Sequence, residues 1–207
     1  MLLLILRLLF IILANVAGIG HVGSLVATTA ADVDKLYAVN VRGVFNCCKS
    51  FAISMLERKS GSIINMASIG AYAGGYGSVS YGAVKAALLH LTRCAAVELG
   101  EDNVRVNSIS PGAIATAIFG KAFGLDSSAA EASAERLDGV FKSFQPIPRA
   151  GLPQDVAAAA VFLASDEASF INGEDIVVDG GRIRGRRPGE VKAHGAELRK
   201  AIGDNEN

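Results

Sequence analysis

A tyrosine and a lysine four residues apart are the two side chains of this sequence best suited to do chemistry together. Tyr81 and Lys85 lie in the stretch SYGAVK, and on a helix this spacing places both side chains on one face. A phenol titrates at about pH 10, but a cation within about 5 Å favours the phenolate. We therefore predict that Lys85 lowers the pKa of Tyr81, which then takes a proton from an alcohol or returns one to a carbonyl oxygen.

A hydroxyl group and a hydride carrier would complete such a site. Ser68, upstream of Tyr81, could hold the substrate oxygen beside the phenol. Protein side chains do not transfer hydride, so an alcohol–ketone reaction here requires a nicotinamide next to these groups. The spacing alone is weak evidence, because a tyrosine at a helix start followed by a solvated lysine gives the same pattern.

Short apolar runs alternate with longer helical patterns along the chain. Buried strands are predicted at residues 9–14, 61–68, 104–112 and 174–181. Helices are predicted at residues 30–58, 81–100 and 154–165. Thr29 and Asp32 resemble a capping box before the first helix, and residues 113–150 are predicted to be irregular with helical pieces. This alternation predicts an α/β fold with a doubly wound, Rossmann-like parallel sheet.

The carboxyl ends of parallel strands lie at one rim of a sheet, and folds of this class bind ligands there. Asn15 follows the first predicted strand, Ser68 ends the second and Ser110 lies near the end of the third. Tyr81 begins the helix that leaves the second strand. We therefore expect these polar groups to meet at one rim.

The amino-acid composition limits the kinds of molecule that the protein is expected to bind. Twenty basic residues balance twenty acidic ones, which predicts neither nucleic acid nor a membrane surface as a partner. The arginines at 182, 184, 186 and 187 are interpreted as a solvated run, with phosphate binding as a minor alternative. Three cysteines imply no disulfide framework and favour a reducing, cytoplasmic location. The three histidines lack metal-ligand spacing, so no metal is predicted.

The N-terminal segment is strongly apolar. Residues 1–14 are interrupted only by Arg7 and are shorter than the roughly 20 residues that cross a bilayer. A signal peptide would carry its basic residues before the apolar run. A buried strand at residues 9–14 is therefore favoured, with secretion and a membrane anchor left open as alternatives.

Taken together, the motifs resemble the standard type of the short-chain dehydrogenase/reductase family. They occur in the family's order, as NVAG at 15–18, NVRG at 40–43, Ser68, YGAVK at 81–85, RVNSISPG at 105–112 and VVDGG at 177–181. The resemblance covers about residues 10–181. It predicts a partial Rossmann-like domain at residues 1–181 and a C-terminal tail at 182–207 that is dispensable for chemistry.

The resemblance implies a site and an activity. The catalytic residues would be Asn40, Ser68, Tyr81 and Lys85, with Tyr81 as general acid/base, Ser68 orienting substrate, Lys85 holding the nicotinamide ribose and Asn40 anchoring a water. The residues that contact the cofactor would be Asn15, Ala17, Gly18, Tyr81, Lys85, Pro111, Gly112, Ile114 and Thr116. The implied protein is an oxidoreductase, a homodimer or homotetramer, that interconverts a small secondary alcohol and a ketone with NAD or NADP.

One part of the family pattern is missing. The sequence has no T-G-x-x-x-G-x-G turn, and the resemblance begins at the family's fourth strand. We therefore expect a sheet that is incomplete in its N-terminal half and cofactor binding that is weak or absent. The sequence also gives no basis for choosing between NAD and NADP. The alternative is an inactive fragment that associates with full-length relatives through the helices at 30–58 and 81–100. Substrate choice would depend on residues 118–149, where Phe119, Phe123 and Phe141 indicate an apolar pocket.

Overall fold

A computed structural model describes residues 11–203. Within this range four strands form one sheet, in which every pairing is parallel and neighbours follow chain order. The strands are β1 Ile12–Asn15, β2 Gly61–Met66, β3 Val104–Pro111 and β4 Asp175–Val178. The Rossmann-like α/β class is thereby confirmed. Strand β1 begins later than predicted, and positions 9 and 10 of that prediction lie outside the described residues.

Helices cover both faces of the sheet. In chain order they are α1 Ala30–Tyr37, α2 Val44–Arg58, α3 Val79–Gly100, α4 Ala117–Ala122, α5 Ser127–Ala134, α6 Leu137–Phe141, α7 Pro153–Ala164 and α8 Pro188–Ala201. Short 3₁₀ turns occupy Ile69–Ala71 and Asp166–Ala168.

The core has two layers because neighbouring strand residues point to opposite faces. Ile63 of β2 packs with α2 and α3, where Met55 and Leu88 are fully buried. The next residue, Ile64, packs on the other face against Leu163 of α7. Burial of each such side chain contributes about 1.5–3 kcal/mol, so both layers hold the rim of the sheet rigidly.

The helix predicted at 30–58 is interrupted. A π-helical turn, Ala38–Gly43, separates α1 from α2, and Asn40 lies within it. The Asn40 side chain donates to the carbonyl of Leu36, and such side-chain bonds compete with the regular helix ladder. The capping box before α1 is confirmed, since Thr29 and Asp32 each accept a backbone N–H from the other.

The segment between β3 and α7 contains three short helices, which confirms the helical pieces predicted there. Phe119 and Phe141 lie edge to face with ring centroids 4.9 Å apart, and Phe144 lies 5.4 Å from Phe141. Phe123 is 72% exposed, so the expectation that it helps to line an apolar pocket is wrong. The reason is its place at the C-terminal end of α4, where its backbone N–H caps the helix and its ring faces solvent.

The tail forms helix α8, none of whose residues is buried. Its first turn carries an ion pair between Arg187 and Glu190, 2.8 Å apart. Among residues 11–203 no helix combines the length and the apolar character needed to cross a membrane. Most of the apolar N-terminal segment lies outside the described residues.

Candidate active site

The carboxyl ends of β1, β2 and β3 carry the predicted polar groups at one rim. The position of Gly18, three residues after β1, joins two of them, because a Cβ there would lie 2.8 Å from Asn40 Oδ1 and 3.6 Å from Lys85 Nζ. Lys85 Nζ in turn lies 5.8 Å from the centroid of the Tyr81 ring. Only glycine permits this close approach of the loop. The structure therefore brings Asn40, Tyr81 and Lys85 together.

Ser68 belongs to the same group because it contacts Tyr81, which lies in the first turn of α3. It follows β2 in extended conformation, and its hydroxyl interacts with the phenol of Tyr81. Ser78 caps α3 by accepting the backbone N–H of Tyr81 at 3.3 Å. A Cβ at position 82 would lie 2.9 Å from the carbonyl oxygen of Gly70, so Gly82 lets the helix approach the turn after Ser68 closely.

Lys85 is a buried amine. Its side chain is 5% exposed, and its Nζ donates to the carbonyl oxygen of Met66 at 2.7 Å. Burial lowers the pKa of Lys85 to about 8. A lysine in such a position costs stability, which is typical of a residue retained for its chemistry.

Tyr81 does not behave as its spacing from Lys85 predicted. Burial raises the pKa of Tyr81, and the hydrogen bond with Ser68 lowers it only in part. The prediction that Lys85 lowers this pKa is wrong for this arrangement. The Lys85 amine is directed to the Met66 carbonyl, and its own charge is disfavoured by burial, so desolvation of the phenolate dominates.

Asn40 is fully buried and fixes the loop after β1. Its Nδ2 donates to the carbonyl of Ile19 at 3.0 Å and to that of Leu36 at 3.2 Å, while its Oδ1 accepts the N–H of Ile19 at 3.3 Å. The π-helical turn places this amide between the two segments. Asn40 therefore ties α1 to the loop that passes Lys85.

The predicted cofactor contacts lie around the same rim. The side chain of Asn15 donates inward to Asn65 Oδ1 at 2.8 Å and to Cys48 Sγ, while Ala17 is exposed. Pro111 ends β3, and Gly112 passes so close to Asp179 that a Cβ would lie 2.8 Å from its Cα. The remaining two are the buried Ile114 and the partly buried Thr116, which precedes α4.

Sequence reasoning missed two side chains near the site. His21 Nδ1 lies 3.2 Å from Ser78 Oγ and 3.3 Å from Ser80 Oγ, so it contacts the start of the helix that carries Tyr81. Arg182 belongs to the arginine run predicted to be solvated, and this prediction is wrong for it, because its partly buried side chain lies against the rings of Tyr76 and Phe144. Nothing in the local sequence reveals either contact, because each joins segments more than 35 residues apart.

The donor set can be tested against the predicted nicotinamide cofactor. An ammonium group has three N–H donors, and within residues 11–203 Lys85 donates one hydrogen bond, to Met66. The remaining donors suit acceptors such as ribose hydroxyls, so this half of the site fits the cofactor. The glycine-rich turn that would receive a pyrophosphate is absent from the sequence. In the described part of the chain no cluster of three or more metal-ligating side chains occurs.

Comparison with known proteins identifies the class. Residues 10–182 match the family model described as enoyl-(acyl carrier protein) reductase. The chain belongs to the short-chain dehydrogenase/reductase family, as the motifs predicted.

The chain is similar to two curated relatives and one solved structure. The chain is 38% identical over 169 residues to 2-(S)-hydroxypropyl-CoM dehydrogenase 3 of Xanthobacter autotrophicus, covering 82% of this chain and 64% of that protein. It is 38% identical over 170 residues to meso-2,3-butanediol dehydrogenase of Serratia marcescens, covering 82% and 63%. A gluconate 5-dehydrogenase from Burkholderia cenocepacia, in complex with NADP and tartrate, superposes with a TM-score of 0.74 at 29% identity, covering 84% and 65%. The chain thus spans just under two thirds of the length of these proteins.

Proposed function

We propose that the protein is an NAD- or NADP-dependent oxidoreductase that interconverts a secondary alcohol and a ketone, with Tyr81 as general acid/base. The observation that carries this proposal is the meeting of Tyr81, Ser68, Lys85 and Asn40 at one rim of the sheet. The names of the two curated relatives describe dehydrogenases of hydroxylated substrates, which supports the same reaction class.

We assign a separate task to each of these side chains. Ser68 and Tyr81 would hold the substrate oxygen between their hydroxyl groups. Lys85 would bind hydroxyl groups of the cofactor, and Asn40 keeps the loop after β1 against Lys85. A bound nicotinamide supplies the hydride in one direction and accepts it in the other.

The protonation of Tyr81 favours one direction at neutral pH. Because burial raises the pKa of its phenol, Tyr81 is protonated there and can donate its proton to the oxygen of a ketone. Alcohol oxidation needs the phenolate instead, so it should become efficient only at higher pH. Ketone reduction is therefore the direction that this site supports best near neutrality.

The cofactor would lie along the rim from the loop after β1 to the loop after β3. Tyr81 and Lys85 would contact its nicotinamide half. We assign the adenosine half to Asn15, Ala17 and Gly18, and the surroundings of the nicotinamide to Pro111, Gly112, Ile114 and Thr116. The inward hydrogen bonds of the Asn15 side chain leave its backbone as the group that would make such a contact.

Association with other chains is a second candidate role. Helices α2 and α3 expose apolar side chains, with Phe45 53%, Ile53 47% and Val97 80% exposed. These surfaces would pair copies of the chain into a dimer or tetramer, or pair an inactive chain with full-length relatives.

A cofactor titration followed by a turnover assay tests the proposed function. Because the glycine-rich turn is missing, we expect weak binding, seen as a change in the fluorescence of NADH or NADPH at high cofactor concentration. One of the two cofactors should be consumed when a panel of ketones is added. Lys85→Met should weaken this binding, while Lys49→Met, which removes an exposed lysine of α2, serves as the matched control and should not. Absence of both binding and turnover, together with co-elution with a full-length relative, would favour the association role and contradict the enzymatic one.

A further inference from the structure

Arg182 is the first residue after the last family motif, and its side chain lies between two aromatic rings. Its Cζ is 5.1 Å from the ring centroid of Tyr76 and 4.5 Å from that of Phe144. The backbone turn that holds it is fixed by Asp179, whose carboxylate accepts the N–H groups of Gly181 and Ile183 at 2.8 Å each. The two rings therefore hold the guanidinium, while Asp179 holds the backbone from which the side chain extends.

This position borders the candidate active site. A Cβ at Gly70 would lie 3.3 Å from the carbonyl oxygen of Tyr76, 3.6 Å from Ser68 Oγ and 3.7 Å from Tyr81 Cδ1. The backbone of Tyr76 therefore lies next to the turn that carries Ser68 and faces Tyr81. Arg182 contacts the ring of this Tyr76.

The opposite ring belongs to the segment that is expected to select the substrate. Phe144 packs on Phe141, which packs in turn on Phe119 of helix α4. Arg182 thus bridges the loop before α3 and the aromatic cluster Phe119–Phe141–Phe144. A substrate held at Tyr81 and lying against this cluster would lie close to the guanidinium.

The guanidinium has donor groups to spare. Among residues 11–203 no carboxylate lies within 4 Å of it and no side-chain hydrogen bond from it is formed. The nearby Asp179 carboxylate accepts the backbone N–H groups of Gly181 and Ile183 instead. Burial lowers the pKa of Arg182 and the Asp179 charge raises it, but an arginine stays protonated throughout. The contacts with the two rings involve the charge of the guanidinium and use none of its N–H groups in a hydrogen bond to a side chain.

A planar edge of N–H donors beside an oxidoreductase site suits one kind of ligand. Arginine binds carboxylates through two parallel hydrogen bonds, which give both affinity and orientation. We propose that Arg182 is a specificity-determining residue that selects oxo and hydroxy acids, by binding the carboxylate while Tyr81 and Ser68 hold the reacting oxygen. This inference rests on the proposed function for its choice of reacting group, and binding alone tests it.

The test compares an acid with its neutral ester. Acetoacetate and methyl acetoacetate share a ketone, and ligand-observed NMR gives the Kd of each with the full chain. We expect the wild type to bind acetoacetate at least about tenfold more tightly than the ester, as charge-assisted hydrogen bonds imply. Arg182→Gln should lose this preference with the ester Kd unchanged, and Arg182→Lys should keep part of it.

Arg184→Gln is the matched control, because it removes an exposed arginine two residues away. Equal Kd values of the wild type for acid and ester, no detectable binding of acetoacetate, or an equal loss in Arg184→Gln would each overturn the proposal. If Arg182→Gln does not fold, the Kd values of the wild type and of Arg182→Lys for the acid and the ester still test the proposal. A carboxylate preference without any turnover would contradict the proposed function and leave the role of Arg182 standing.

Discussion

Lys85→Met should change how the stability of the protein depends on pH. Burial lowers the pKa of Lys85 to about 8 in the folded protein, against an ordinary value of 10.5 for an unfolded chain. Between these two pH values the unfolded chain holds a proton on Lys85 that the folded protein has released. The free energy of unfolding therefore rises with pH across this window, and the penalty for burying the charge is complete below pH 8.

The size of the effect follows from the width of the window. Each pH unit between the two values contributes about 1.4 kcal/mol, so the whole window contributes about 3 kcal/mol. Lys85 is 5% exposed, and solvent screening reduces this figure little. A methionine fills similar volume without a titrating group.

The assay is urea unfolding followed by circular dichroism at intervals from pH 7 to pH 10. We expect the difference in unfolding free energy between the wild type and Lys85→Met to rise by about 2 kcal/mol or more over this range, in favour of the wild type. Lys49→Met should run parallel to the wild type. Parallel profiles for Lys85→Met and the wild type would contradict the claim that burial lowers the pKa of Lys85.

Three further changes test the structure around the site. Gly18→Ala places a Cβ 2.8 Å from the oxygen of the buried Asn40 amide, so it should cost about 1–3 kcal/mol in urea unfolding; an unchanged midpoint would contradict the close approach. Ser62→Ala removes the buried hydroxyl that donates to the carbonyl of Leu163 near the end of α7, and should cost about 1–2 kcal/mol, whereas no loss would show that this carbonyl finds another donor. Truncation after Arg186 removes α8 and its wholly unburied residues, so thermal unfolding should be unchanged; a lower midpoint would mean that the helix packs on the domain.

Local signals in the sequence predicted most of the fold. The capping box of Thr29 and Asp32 needs only residues three apart, and the apolar runs of β2 and β3 are bounded within their own segments. The four proposed catalytic residues could be named because each belongs to a motif with a fixed order. Their meeting at one rim then follows from the parallel sheet.

What could not be predicted depends on contacts between distant segments. The π-helical turn at Asn40 depends on backbone groups of Ile19, 21 residues earlier. The raised pKa of Tyr81 depends on burial, which the spacing to Lys85 does not reveal. Arg182 was assigned to a dispensable tail because the motifs end at Gly181, yet its side chain packs on rings more than 35 residues away. The division between residues 1–181 and 182–207 therefore stays a prediction, with Arg182 packing on the first part.

The acid/base role of Tyr81 is the central claim, and a single hydroxyl group tests it. Ketone reduction at saturating NADH or NADPH should be compared for the wild type, Tyr81→Phe and the control Tyr37→Phe, which alters an exposed tyrosine of α1. Tyr81→Phe keeps the ring packing and removes the proton donor. We predict that its kcat falls to about a hundredth of the wild-type value or lower, while Tyr37→Phe stays unchanged. A Tyr81→Phe variant that retains more than about a tenth of the wild-type kcat would contradict the assignment.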